Sequence, residues 1–135
     1  MYKIQKTNRR IEDEVRIEAG DEELVLPVSI SVDDVARQLP GLQRELLLAQ
    51  DGLKGALASD DPGVMEAAHE SLCRAVLQLL RLIFGPDGAD QIDSFYDGQM
   101  MEALTDFAPY ITEAIIPRVS RAQRNLADSY KSFRV

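Results

Sequence analysis

The sequence predicts an α+β fold that is mostly helical, in which a small N-terminal antiparallel β-sheet precedes a bundle of about four helices. Apolar residues alternate with polar ones over residues 1–30, whereas from residue 31 onward they recur every three or four positions. The dipeptides Asp61-Pro62 and Gly85-Pro86 are typical of the start and the end of a helix. We therefore expect a single compact domain with an N-terminal β region at 1–30 and a helical body at 31–135.

Three stretches of the β region show the alternation expected of half-buried strands: residues 2–4, 15–19 and 24–30. The turn residues Gly20 and Asp21 separate the second stretch from the third. Pro27 has no backbone N–H and is excluded from the middle of a sheet, so we expect its strand at an edge or at a bulge.

The helical body divides at proline and glycine residues. Ser31 or Asp33 is the expected cap of a first helix, which Pro40-Gly41 should break or kink, and residues 42–57 then form a second segment. A central core helix is predicted over 63–84, followed by a short helical turn at 87–96. The last long helix begins near Gln99, and Pro109 and Pro117 should interrupt it.

Composition excludes several classes of protein. The chain has 135 residues and a formal net charge of -8, which disfavours general binding to nucleic acid. No apolar run is long enough to span a bilayer, and the N-terminus does not read as a secretory signal. Cys73 is the single cysteine, so no disulfide forms within the chain and a reducing cytoplasm is the expected location.

Charge is unevenly distributed along the chain. Residues 1–10 and 118–135 are basic, and the middle is strongly acidic. Such an arrangement allows head-to-tail pairing between copies of the chain, or binding to an acidic surface. Solvated, solubilising faces are the favoured interpretation.

The titratable residues do not predict a reaction, a metal site or a cofactor. His69 lies four positions from both Met65 and Cys73, but zinc requires three or four good ligands. The acidic clusters fall at turns and helix starts, where the helix dipole favours them. A small enzyme is therefore the weaker interpretation.

The apolar face of the last helix is the strongest functional signal. Its residues recur in steps of three or four from Met100 to Val119 and exceed what one small core needs. We therefore predict a groove that binds a protein partner. The candidate partner-binding residues are Phe95, Tyr96, Met100, Met101, Leu104, Phe107 and Ile111.

Three segments of the chain resemble tail-assembly chaperones of long-tailed (siphovirus-like) bacteriophages. They are LLRLIFG at 79–85, IDSFYDG at 92–98 and PYITEAIIPR at 109–118. The resemblance implies a non-enzymatic protein of the bacterial host cytoplasm. Such a protein coats the helical tape-measure protein during tail morphogenesis and also recruits tail tube subunits. The resemblance implies no catalytic, cofactor-binding or metal-binding residues.

Two further hypotheses stay open at this point. The chain is a structural virion subunit, such as a tail-completion or connector component, if its apolar faces form ring contacts. It is an acidic inhibitor of a host protein if its acidic middle occupies a basic site, and in that case binding should be sensitive to salt.

Overall fold

The computed structural model describes residues 1–6 and 9–131, and shows a two-stranded antiparallel ribbon followed by helices. The elements are β1 Arg10–Ala19, β2 Glu22–Ser31, α1 Val32–Leu57, α2 Pro62–Phe95, and a third helix, α3, made of Met100–Tyr110, a π-helical turn Ile111–Ile115 and Ile116–Lys131. The mostly helical fold with an N-terminal antiparallel sheet is confirmed, but the described residues hold three helices rather than about four. Residues 132–135, the end of the predicted body, lie outside the described residues.

The ribbon packs one apolar face onto the helices. Gly20, with a φ of +62°, forms the turn, and Ala19 pairs with Glu22 on either side of it. Leu26, Val28 and Ile30 alternate inward along β2 and are all buried. Residues 2–4, predicted as a strand, form none; Tyr2 is 89% exposed, so that short stretch has no partner surface to hold it.

The first helix runs through the proline that was expected to break it. The Ser31 hydroxyl accepts a hydrogen bond from the Asp34 N–H, as predicted for a cap, and α1 then continues past Pro40 to Leu57. A proline inside a helix costs about 3 kcal/mol. Packing of α1 along α2 outweighs this cost, because Val35 and Leu39 lie in the core just before the proline.

The second helix begins where the sequence predicts, but at its predicted end, Gly85-Pro86, it bends and continues through the predicted short turn to Phe95. The Asp61 carboxylate accepts a hydrogen bond of 2.9 Å from the Gly63 N–H, and Pro62 occupies the first helical position. At Gly85 the backbone leaves the helical region, with φ of 78° and ψ of 170°, and the chain re-enters a helix up to Phe95. The kink redirects α2 so that Ile92 is also buried.

A π turn keeps the apolar residues of α3 on one face. Phe107, Ile111, Ile115 and Val119 follow one another in steps of four, and each four-residue step in a regular α-helix overshoots a full turn by about 40°. Over three steps the face would drift by about 120°. The π turn at Ile111–Ile115 takes one extra residue, which cancels most of that drift, and all four side chains are buried. The predicted interruption thus lies between the two prolines and does not split the helix.

The π turn also aligns two polar residues with the ribbon. The Tyr110 hydroxyl donates a hydrogen bond of 3.0 Å to Asp13 Oδ2, and Arg118 Nη1 lies 3.6 Å from the same oxygen. The other carboxylate oxygen accepts the Glu14 N–H at 2.9 Å. The hydrogen bond from Glu14, followed by that from Tyr110, holds the pKa of Asp13 below its ordinary value. Asp13 therefore ties the core-facing side of β1 to α3.

We predict opposite effects for alanine at two helix glycines. Gly85→Ala should lower the free energy of unfolding by about 1–3 kcal/mol, because its backbone conformation is essentially restricted to glycine. Gly41→Ala should raise it by about 0.5–1 kcal/mol, because this glycine is helical and nothing lies within 4 Å of an added Cβ. Urea unfolding followed by circular dichroism measures both, and a stable Gly85→Ala would contradict the kink.

We also predict that the Asp13 contact stabilises the protein only while the carboxyl is ionised. Tyr110→Phe should lower the free energy of unfolding by about 1 kcal/mol at neutral pH, since one hydrogen bond is lost. Because the folded-state pKa of Asp13 is lowered, its stabilisation is present above the unfolded-state pKa and is lost as pH falls through the folded value. The difference between wild type and variant should thus shrink in acid. Tyr2→Phe, at an exposed tyrosine, is the matched control and should show no difference at any pH.

Candidate functional site

The structure places three of the seven predicted partner-binding residues in the core. Met100 and Phe107 are 2% exposed and Ile111 is 4% exposed. Phe107 packs edge-on against Phe84 of α2, with ring centroids 5.1 Å apart. The face of α3 that the sequence assigned to a partner is therefore the face that α2 covers, and these three side chains cannot contact a partner in this conformation.

The other four predicted residues lie at the surface around the turn between α2 and α3. Met101 is 37% exposed, whereas Phe95, Tyr96 and Leu104 are half-buried. The Tyr96 hydroxyl donates a hydrogen bond of 2.7 Å to Asp106, and burial together with this contact raises the pKa of Tyr96. Because Tyr96 is fixed to its own chain in this way, what remains of the predicted surface is small.

His69 and Cys73, the pair considered as metal ligands in the sequence analysis, lie side by side on α2. His69 Nε2 and Cys73 Sγ are 3.5 Å apart on one face of α2, as the four-residue spacing predicts. Among the described residues, no three His, Cys, Asp or Glu side chains are placed to hold a metal ion. Burial, followed by the nearby carboxylates of Asp93 and Glu70, raises the pKa of Cys73, so its thiol stays protonated at neutral pH.

A long groove runs between α1 and α2 on the side of α1 that faces away from α3. Its lower part, about 610 Å³, starts at Ser29 of the ribbon, and its upper part, about 510 Å³, ends at Gly52. Glu45 and Gln78 line both parts, so the two parts adjoin at these residues. From Asp34 to Gly52 the groove follows 18 residues of helix, which corresponds to about 27 Å.

The floor of the groove has a seven-residue repeat on both helices. It is formed by Val35, Leu42 and Ala49 of α1 and by Ala68, Ala75 and Leu82 of α2. Val35 and Ala75 are buried, so the half-buried Leu42, Ala49, Ala68 and Leu82 are the apolar side chains that a ligand would contact. A seven-residue apolar repeat is the pattern by which helices pack in coiled coils. The alanines in the upper part leave room for close approach, and Leu48 at its rim is 65% exposed. The floor therefore has the shape of a surface against which one more helix can pack.

Sequence reasoning missed this groove although the repeat is visible in the sequence. The predicted break at Pro40-Gly41 assigned Val35 and Leu42 to different helices, which hides their common spacing. On α2 the sequence analysis predicted a core helix over 63–84 and did not single out the spacing of Ala68, Ala75 and Leu82. A continuous α1 is what reveals that the two repeats face each other.

The opposite side of α1 is covered by the chain itself. Ala36, Pro40 and Gln43 face Ile116, Val119 and Ser120 of α3. Leu47 lies on this side of α1 and is 62% exposed. It is therefore about as exposed as Leu48, but it lies outside the groove. A substitution at Leu48 therefore tests the groove, and the same substitution at Leu47 tests the helix surface outside it.

Comparison with known protein families, with curated proteins and with solved structures gives no match to this chain. Among the described residues, no helix is both long enough and apolar enough to cross a membrane. The molecule is thus characterised by its own geometry, a β-ribbon on a helical body with an open interhelical groove.

Proposed function

We propose that this chain is a non-enzymatic chaperone of bacteriophage tail assembly, which binds the helical tape-measure protein in the host cytoplasm before the tail tube polymerises. The observation that supports this proposal best is the groove between α1 and α2. It offers a helix-length apolar floor with a seven-residue repeat, and a tape-measure protein is long and helical. The resemblance of residues 79–85, 92–98 and 109–118 to tail-assembly chaperones supports the same function.

The arrangement suits transient protection of a helix. The floor is apolar, so it binds the face of an amphipathic helix that would otherwise aggregate. The rims are polar and the whole chain carries a formal charge of -8, which keeps a complex soluble. Recruitment of a tail tube subunit is a second role in this proposal, and its candidate contacts are the exposed Met101 and the half-buried Phe95 and Leu104.

We predict that a charge in the groove abolishes rescue of the partner. Leu48→Glu should leave the chaperone folded, since the side chain is largely exposed, but the co-expressed tape-measure protein should become insoluble. Leu47→Glu is the matched control, because it introduces the same charge on the same helix outside the groove. The measurement is the soluble fraction of the tape-measure protein and its co-purification in low and high salt.

The outcomes separate the competing functions. If the tape-measure protein stays insoluble with the wild-type chain and this chain forms a closed ring that is retained in virions, it is a structural subunit. Co-purification that disappears in high salt points to an acidic inhibitor. Equal loss of rescue with Leu47→Glu and Leu48→Glu rejects the groove. In a further arm, loss with Leu104→Glu alone places the contact on the surface that the sequence predicts.

A further inference from the structure

The two rims of the groove carry opposite charges. On α1 the outer positions are Asp34, Gln38 and Glu45, whereas on α2 they are Arg74, Gln78 and Arg81. All four charged side chains are exposed. Arg74 and Arg81 are seven residues apart, which places them on one side of α2 like the floor residues below them. The groove therefore has an acidic edge and a basic edge that run parallel to its length.

Among the described residues these charges are almost unused within the chain. Asp34 forms an exposed ion pair of 3.1 Å with Arg37, one turn along α1, and such a pair contributes little. Glu45, Arg74 and Arg81 have no ion pair there. Arg10, at the ribbon end of the groove, already donates hydrogen bonds to the Ser29 carbonyl and hydroxyl oxygens. The rims are thus available to a ligand.

We propose that the groove binds one amphipathic helix with a seven-residue repeat, and that the two oppositely charged rims fix the direction in which this helix lies. This proposal rests on the proposed function for the identity of the natural helix. The bound helix has basic residues on the flank that faces α1 and acidic residues on the flank that faces α2. In the reverse direction both flanks meet like charges, which is the means by which coiled coils select orientation.

The length of the groove sets the size of the bound segment. About 27 Å corresponds to roughly 18 residues, or two to three heptads. A tape-measure protein built of many such segments would bind several copies of the chain, all in the same direction. The direction of each segment would follow from which of its two flanks is acidic and which is basic.

The test uses a synthetic 21-residue peptide with leucine at the apolar positions, glutamate on one flank and lysine on the other. A nitroxide is attached by a thioether at either end of the peptide, and signal loss is recorded at backbone amides of the isotope-labelled full chain. The expected result is signal loss at one end of the groove only, near Ser31 or near Gly52. Moving the label to the other end of the peptide should transfer the signal loss to the other end of the groove.

The decisive variant reverses the rims by four substitutions, Asp34→Lys, Glu45→Lys, Arg74→Glu and Arg81→Glu. It should bind the same peptide with a similar Kd but in the opposite direction, and high salt should weaken the preference in both proteins. The pair Arg74→Glu and Arg81→Glu alone is a smaller variant for use if the fourfold one does not fold. Peptides with two acidic or two basic flanks should bind wild type roughly tenfold more weakly.

Each result supports or overturns the proposal. Signal loss at both ends of the groove, an unchanged direction in the reversed variant, or no binding of the mixed peptide overturns it. If the peptide binds in one direction but the tape-measure protein is not rescued, the proposed function fails and the groove assignment stands. If rescue depends on Leu48 but the peptide lies in both directions, the function stands and the directional rims do not.

Discussion

The fold depends on the packing of every other element against α2. Leu72, Val76, Leu80 and Ile83 are at most 1% exposed, and the ribbon, α1 and α3 all contact this helix. Burial of one such side chain contributes about 1.5–3 kcal/mol before the entropy of ordering is subtracted. Helix α1 also contacts the ribbon and α3, but several of the most deeply buried side chains lie on α2, so packing on α2 largely sets the positions of the ribbon, α1 and α3.

This arrangement explains why a groove is left open. The ribbon and α3 occupy the ribbon-proximal half of α2, and α3 then lies along one side of α1. Among the described residues, only α1 and α2 line the seam between their distal halves, and Ala49, Ala68 and Ala75 lie along it. A helix pair with so little apolar area of its own gains stability when a third helix is added. A helix that bound in the proposed groove would therefore also stabilise this half of the molecule.

The sequence predicted elements wherever a local signal decides the structure. Ser31, Asp61-Pro62 and Gly85 each act through their own backbone or side chain, and each lies where it was expected. Prediction failed where packing competes with a local preference. Pro40 should break or kink a helix, but its neighbours Val35 and Leu39 are buried in the core. Tyr2 should extend a strand, but among the described residues no strand pairs with it.

In the candidate site, too, local patterns were predicted correctly and packing was not. Met100, Phe107 and Ile111 were recognised as one apolar face, but a sequence does not say whether such a face is covered by the chain or by a partner. The seven-residue floor was hidden by the predicted break in α1. The steps of four from Phe107 to Val119 were a readable signal of the π turn, because a run without a three-residue step cannot stay on one face of a regular α-helix.

The Asp13 carboxylate has a consequence for how copies of the chain meet. Its Oδ1 accepts a hydrogen bond from the Glu14 N–H. The residue paired with Glu14 in the ladder is Pro27, which has no N–H. At this one level, neither strand offers a backbone donor to an incoming strand, so a third strand added at either edge would lose one ladder hydrogen bond in the middle of the ribbon. The ribbon thus disfavours edge-to-edge pairing between copies of the chain.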